Sequence, residues 1–148
     1  TMAAGNFTFY NSGKLDIFDG TTDLDTDSVA VILLGSGYTP DVAAHASYSD
    51  VSANEIADAD YTQQSLPTPA FSESAGTVTF DSGDISFGSN VSIEAKYAVF
   101  VKGTATSLVS GDPLIGYVDL DTSGTSATVS STNSTFSVNT PNNIFTAS

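Results

Sequence analysis

The sequence predicts an all-β chain: a single-domain antiparallel β-sandwich, jelly-roll or Greek-key, with one or two short helical turns. Three observations lead there. In Glu94–Lys102, E-A-K-Y-A-V-F-V-K, the residues Ala95, Tyr97, Val99 and Val101 alternate at period two, the signature of a strand with one buried face. Seven or eight runs of this kind recur, bounded by Gly, Pro, Asn, Asp and Ser, with little that reads as helix. The 148 residues fit one domain, and a domain of that size buries roughly 70% of its unfolded surface. Residues 1–148 are therefore read as one domain, with 1–10 as an extended arm or first strand and 122–148 as Ser/Thr-rich C-terminal strands.

Taken in order, Asn6–Tyr10 places Phe7 and Phe9 on one face of a short strand or docking arm, and both outcomes bury the rings. Between Ser12 and Asp19 the apolar set Leu15, Ile17 and Phe18 fits neither period, which predicts a single helical turn after Ser12 as N-cap. Val29 to Leu34 is an unbroken apolar run closed by Gly35 and Gly37, a central strand covered on both faces. Tyr38-Thr39-Pro40-Asp41 reads as a turn, with Asp41 capping a short helix over Val42 to Tyr48. The polar stretch up to Pro67 and Pro69 reads as a long loop or irregular edge.

Thr77–Asp81 alternates with Val78 and Phe80 inward. From Ile85 the apolar odd positions run to Val101, broken by Gly88-Ser89-Asn90. Pro113 to Asp121 is apolar on both faces and predicts a second central strand beside Glu94–Lys102. Ala127 with Val129, and Phe136 with Val138, mark weaker strands, and Ile144 with Phe145 pins the C-terminus.

Three lysines, no arginine and seventeen carboxylates give a net charge of −14. Such a field repels phosphate, so nucleic acid and anionic membranes are poor partners. No apolar run approaches the roughly 20 residues of a membrane-spanning helix. With no cysteine there is neither a disulfide framework nor a thiolate metal site.

Residues suited to chemistry are few. The run from Asp19 to Asp27 contains Asp19, Asp23, Asp25 and Asp27, whose oxygens suit calcium, yet the EF-hand pattern fails because Ser28 and Leu34 occupy its glycine and glutamate positions. A solvated strand edge that discourages edge pairing is the plainer reading, and no cofactor other than calcium is suggested. His45, the one histidine, lies near Asp41 and Asp50 in sequence, a pairing that suits a carboxylate-oriented base, but nothing supplies a nucleophile or oxyanion site. Glu55, Glu73 and Glu94 are candidates for a glycosidase pair if they converge with an aspartate, although their contexts read as strand ends. The prediction is a protein without catalytic residues. Tyr10, Tyr38, Tyr48, Tyr61 and Phe71 fall in or beside loops, where rings either stack on sugars and partner proteins or cap the core. Together with Phe7 and Phe9, the tyrosines are the candidate partner-binding residues.

Five blocks then stand out together: D-L-D-T-D-S-V-A-V-I-L-L at 23–34, Y-T-P-D at 38–41, H-x-x-Y-S-D-V-S-A-N-E-I at 45–56, A-K-Y-A-V-F-V-K at 95–102 and P-L-I-G-Y-V-D-L at 113–120. Their order and spacing resemble a family of small tailed-bacteriophage virion proteins, over about residues 10–120 and more loosely 134–148. The resemblance implies a virion structural protein, first of all a capsid decoration or cement protein. Such a protein binds the outer surface of the major capsid protein lattice and is expected to self-associate as a trimer. The alternative is a tail or fibre-associated virion protein or a displayed carbohydrate-binding module. The chain departs from the family pattern at N-S-G-K-L-D-I-F (11–18), which interrupts what usually reads as a helix, and at Ala57-Asp58-Ala59-Asp60, where a Gly-rich turn is usual.

Overall fold

A computed structural model describes residues 2–3, 6–125, 127–140 and 143–148. In chain order it contains β1 (Met2–Ala3), β2 (Thr8–Phe9), α1 (Asn11–Phe18) and β3 (Val29–Leu34), followed by two single 3-10 turns at Tyr48–Asp50 and Ser52–Asn54. Next come β4 (Gln64–Ser65), β5 (Ala70–Ser74), β6 (Thr77–Asp81), β7 (Ile85–Ser86), β8 (Glu94–Ala95) and β9 (Tyr97–Lys102). The chain ends with β10 (Leu114–Asp119), β11 (Val129–Ser130), β12 (Ser137–Asn139) and β13 (Phe145–Ala147). Strand pairs are antiparallel apart from the short β1–β12 pair, and helix is scarce, as expected of an all-β sandwich-like fold.

A five-stranded sheet in the order β2-β10-β9-β3-β4 forms the centre. β3 and β9 pair along six residues, from Val29 opposite Lys102 to Leu34 opposite Tyr97. β10 lies on the other side of β9, as the sequence predicts. Because successive side chains point to opposite faces, these strands supply two cores. Val31, Leu33, Ala98, Phe100, Ile115 and Val118 belong to one, and Ile32, Leu34, Tyr97, Val99, Val101 and Leu114 to the other. With both faces covered, no position on β3 tolerates a polar residue, which explains its unbroken V-A-V-I-L-L. A register shift between Leu114 and Gly116 inserts one residue into β10, so Leu114 and Tyr117, three apart, serve the same face.

The two coverings differ in kind. The first face is roofed by the small sheets β1-β12-β7, β13-β6-β5 and β11-β8, which deliver Phe80, Ile85, Phe87, Ile93, Ala95, Phe136, Val138 and Ile144 to the core. Over the second lie mainly irregular segments, bringing Tyr10, Tyr38 and Val51, with Val42, Tyr48 and Leu108 at its margin.

Several expectations need correction. Glu94–Lys102 buries both faces: Ala98 and Phe100 are as enclosed as Tyr97, Val99 and Val101. Ala95 joins the opposite core, because the ladder breaks at Lys96 and the alternation changes phase there. Residues 11–18 do not interrupt a helix but form α1, and it starts a residue before Ser12, with Tyr10 at the cap position and no capping side chain. Gly13 lets that helix lie close against β10, since a Cβ there would collide with the Leu114 and Ile115 carbonyls. The segment from Val42 to Tyr48 is not a helix; the Asp41 carboxylate accepts the N–H groups of Ala43 and Ala44 around one turn, and a 3-10 turn follows at Tyr48. Val78 takes the same face as Phe80, as expected, but is left 40% exposed where Phe80 is buried. Asp58 and Asp60, at the departure from the family pattern, accept the N–H groups of Glu94 and Ser92 and so hold that loop against β8.

Candidate functional site

Two polar networks sit where irregular chain covers the central sheet. In the first, the Tyr10 and Tyr38 hydroxyls are 2.8 Å apart, and the Tyr38 hydroxyl lies 2.8 Å from His45 Nδ1. The backbone N–H of Asp41 also points at Nδ1, at 3.3 Å, and an N–H can only donate. Nδ1 is therefore the acceptor in the neutral ring, so Tyr38 donates to His45 and Tyr10 donates to Tyr38. Burial, reinforced by the bond to Tyr38, raises the Tyr10 phenol far above its ordinary range, and burial pushes Tyr38 up to about 12. Phenols held protonated this firmly are structural donors.

Neither nearby carboxylate orients His45 as a base. The Asp41 carboxylate is engaged in its own turn. That of Asp50 accepts from the N–H groups of Ala46 and Ser47, which hold it below its usual value.

The second network closes the exposed edge of β3. β4 pairs only with Ala30 and Val31, so the following backbone groups need other partners. Ile56 N–H bonds the Leu33 carbonyl at 3.0 Å, and the Leu33 N–H donates to the Tyr61 hydroxyl at 3.1 Å. Tyr61 and Tyr48 in turn donate to the two Glu55 oxygens at 2.5 Å, and Gln63 adds a bond of 2.9 Å. Burial, then the bond to Glu55, raises both phenols, Tyr48 to about 12 and Tyr61 higher still.

The remaining candidates are dispersed. Glu73 accepts from Gly76 N–H in the β5–β6 turn, and Glu94 lies in β8, so neither joins Glu55. Asp19 accepts from Thr21, Asp25 N–H bonds Asp23, and Asp23 N–H bonds Asp27, while Lys102 Nζ lies 3.4 Å from Asp27. Among the described residues no three His, Asp or Glu side chains gather as a metal cluster. The acidic run thus folds onto its own backbone. Phe7 and Phe9 pack inward, ring to ring at 5.0 Å, with Phe7 also 5.3 Å from Phe100.

What the structure leaves open lies elsewhere. One open groove of about 530 Å³ is lined by Tyr97, Tyr117, Asn6, Thr8, Asp119 and Asp121. At the end of the molecule formed by α1 and the β13-β6-β5 sheet, Leu15 is 62% exposed, Phe18 79%, and Phe71 and Val78 each 40%. Sequence reasoning named Phe71 but missed the others as a surface. A signal was available, because three apolar residues within Leu15–Phe18 are more than one seated face of a two-turn helix can bury. Comparison of the chain with protein-family models, with curated proteins and with solved structures finds no match.

Proposed function

We propose that the chain is a structural subunit of a tailed-bacteriophage particle, a decoration or cement protein bound to the outside of the major capsid protein lattice. The observation that carries this reading is the contrast between occupied chemistry and open surface. The side chains best suited to catalysis, His45, Glu55 and Asp50, are tied to neighbours in the same chain, while an apolar end face is exposed among the described residues. That distribution suits a part that adheres. The resemblance of the five sequence blocks supplies the particle, and the charge of −14 favours its exterior, because packaged DNA repels it. Many copies with modest contacts then sum to a firm lattice.

The test is quantitative protein composition of the purified particle together with a cryo-EM map. A copy number in proportion to the capsid protein is expected; a small fixed number, or density confined to the tail, rejects decoration. The groove beside Tyr97 and Tyr117 favours a second reading, a glycan-binding module displayed on the particle, since aromatic rings flanked by Asn6 and Asp119 suit sugar hydroxyls. A glycan array that is blank for the wild-type protein removes it. Tyr38 and Tyr61 are poor sugar platforms on this reading, as their hydroxyls are engaged internally.

A further inference from the structure

The α1/β5–β6 end face has a construction that goes beyond scattered exposed residues. Residues directly opposite in an antiparallel ladder share a face. Phe71, Phe80 and Phe145 therefore point the same way, and so do Glu73, Val78 and Ala147 two positions further along. The phenylalanine row is anchored, with Phe80 buried and its ring 4.8 Å from Phe71 and 5.2 Å from Phe145. Beyond that row the same face is open among the described residues, since every residue of β5 is exposed and Val78 is 40% exposed. The hairpin overhangs its own core.

It is also stiff. Ala75 and Gly76 turn the chain in two residues at φ 51 and 85, and the Glu73 carboxylate accepts the Gly76 N–H at 2.8 Å. Beside the overhang, Leu15 and Phe18 lie three apart on the outer side of α1. Two hollows adjoin at Ile17. One, about 230 Å³, lies between Phe18 and Ala147, and the other, about 260 Å³, lies between Phe71 and Asp23.

We infer that this end face seats a protein segment of complementary chemistry: apolar anchors that fill the two hollows, flanked by lysine or arginine. Charge selects this occupant. Asp23 lines one hollow and Lys14 the other, Asp19 follows Phe18 in the chain, Glu73 lies opposite Val78 in the ladder, and Lys102 is engaged by Asp27 and the Thr21 carbonyl. A second copy of the chain would bring the same net charge of −14, with only three lysines against seventeen carboxylates, so like charges would face each other. An anionic lipid surface is disfavoured for the same reason.

The inference names the adhesive face for the virion reading and rests on that reading for the partner's identity. The test is rebinding of the purified chain to particles of the encoding phage that lack it, comparing wild type, the double variant Phe18→Ser/Val78→Ser, and Val109→Ser, an exposed apolar residue over the other face. All three should melt alike, because the altered side chains are at the surface. Wild type and Val109→Ser are expected to bind with an affinity that falls as salt rises, and the double variant about tenfold or more weakly. Equal binding by the double variant overturns the docking face while the virion reading stands. Absence of wild-type binding overturns both. A wild-type dimer in sedimentation that the double variant dissolves overturns the basic partner in favour of a second copy.

Discussion

The two faces of the central sheet use different aromatic residues. Of nine phenylalanines, seven lie in or against the core roofed by strands: Phe7, Phe9, Phe80, Phe87, Phe100, Phe136 and Phe145. Phe18 and Phe71 are the two at the open end. Five of six tyrosines, Tyr10, Tyr38, Tyr48, Tyr97 and Tyr117, lie in or against the core roofed by irregular chain. The sixth, Tyr61, packs against the phenylalanine core, its ring stacked on Phe87, and its hydroxyl closes the edge of β3 where no ladder continues. A strand satisfies its neighbours' N–H and C=O groups through the ladder, so a roof of strands needs only volume beneath it. A roof of turns lacks that ladder and needs side-chain donors and acceptors reaching in, and an aromatic ring with a hydroxyl provides both burial and a bond.

The largest expected effect sets volume on the phenylalanine face. Phe100→Ala empties a site 2% exposed in the middle of β9 and should lower stability by about 3–5 kcal/mol, read by chemical denaturation. The converse exchange sharpens the contrast: Phe100→Tyr introduces a hydroxyl beneath a roof with no provision for one and should lower stability by about 1–3 kcal/mol. If Phe100→Tyr is neutral, the segregation is not a matter of hydrogen bonding.

Alkaline pH tests the engaged phenols without mutation. Tyr38 and Tyr48 are pushed up to about 12, and Tyr10 and Tyr61 higher, whereas the unfolded chain ionises tyrosine near 10. Below pH 10 both states are protonated and the full stability is present; as pH rises from 10 toward 12 only the unfolded state gains by ionising, so stability falls. Absorbance at 295 nm should show these four phenols ionising together with unfolding. Gradual ionisation near pH 10 with the fold intact would contradict their burial.

Single hydroxyls come next. Tyr61→Phe removes the partner of Leu33 N–H and one donor to Glu55, and about 1–3 kcal/mol should be lost. Tyr10→Phe removes only the end donor of the Tyr10–Tyr38–His45 chain and should cost about 1 kcal/mol.

The phenylalanine face was the more legible in sequence. β3, β9 and β10 could be placed, and β10 set beside β9, because period-two alternation and unbroken apolar runs report strands directly. Alternation gives which side a residue takes, though not whether anything covers that side, and Val78 is more exposed than expected for that reason. It also assumes a continuous ladder, so the break at Lys96 moved Ala95 to the other core. The tyrosine face left no such trace. Tyr10 meets Tyr38 across 28 positions, and at the edge of β3, against the other core, Tyr61 meets Leu33 across another 28, distances at which no local pattern links a donor to its acceptor. The open end was half legible in the crowding of Leu15, Ile17 and Phe18, but its overhang depends on how far β5 and β6 outrun the core.

The smallest expected effect is none, and it concerns the acidic loop between α1 and β3. Calcium requires six to eight oxygens converging on one point. Here Asp23 and Asp27 turn an oxygen toward backbone N–H groups of the same loop, Asp19 toward Thr21, and Lys102 sits against Asp27. These carboxylates do for the loop what tyrosines do across the sheet, supplying acceptors to chain without a ladder. Melting curves in calcium and in chelator should therefore coincide, since a ligand raises the melting temperature only by binding the folded state. A rise with calcium would mean that the loop can exchange its internal bonds for an ion, and the argument that irregular chain here is held by its own side chains would fail at this point first.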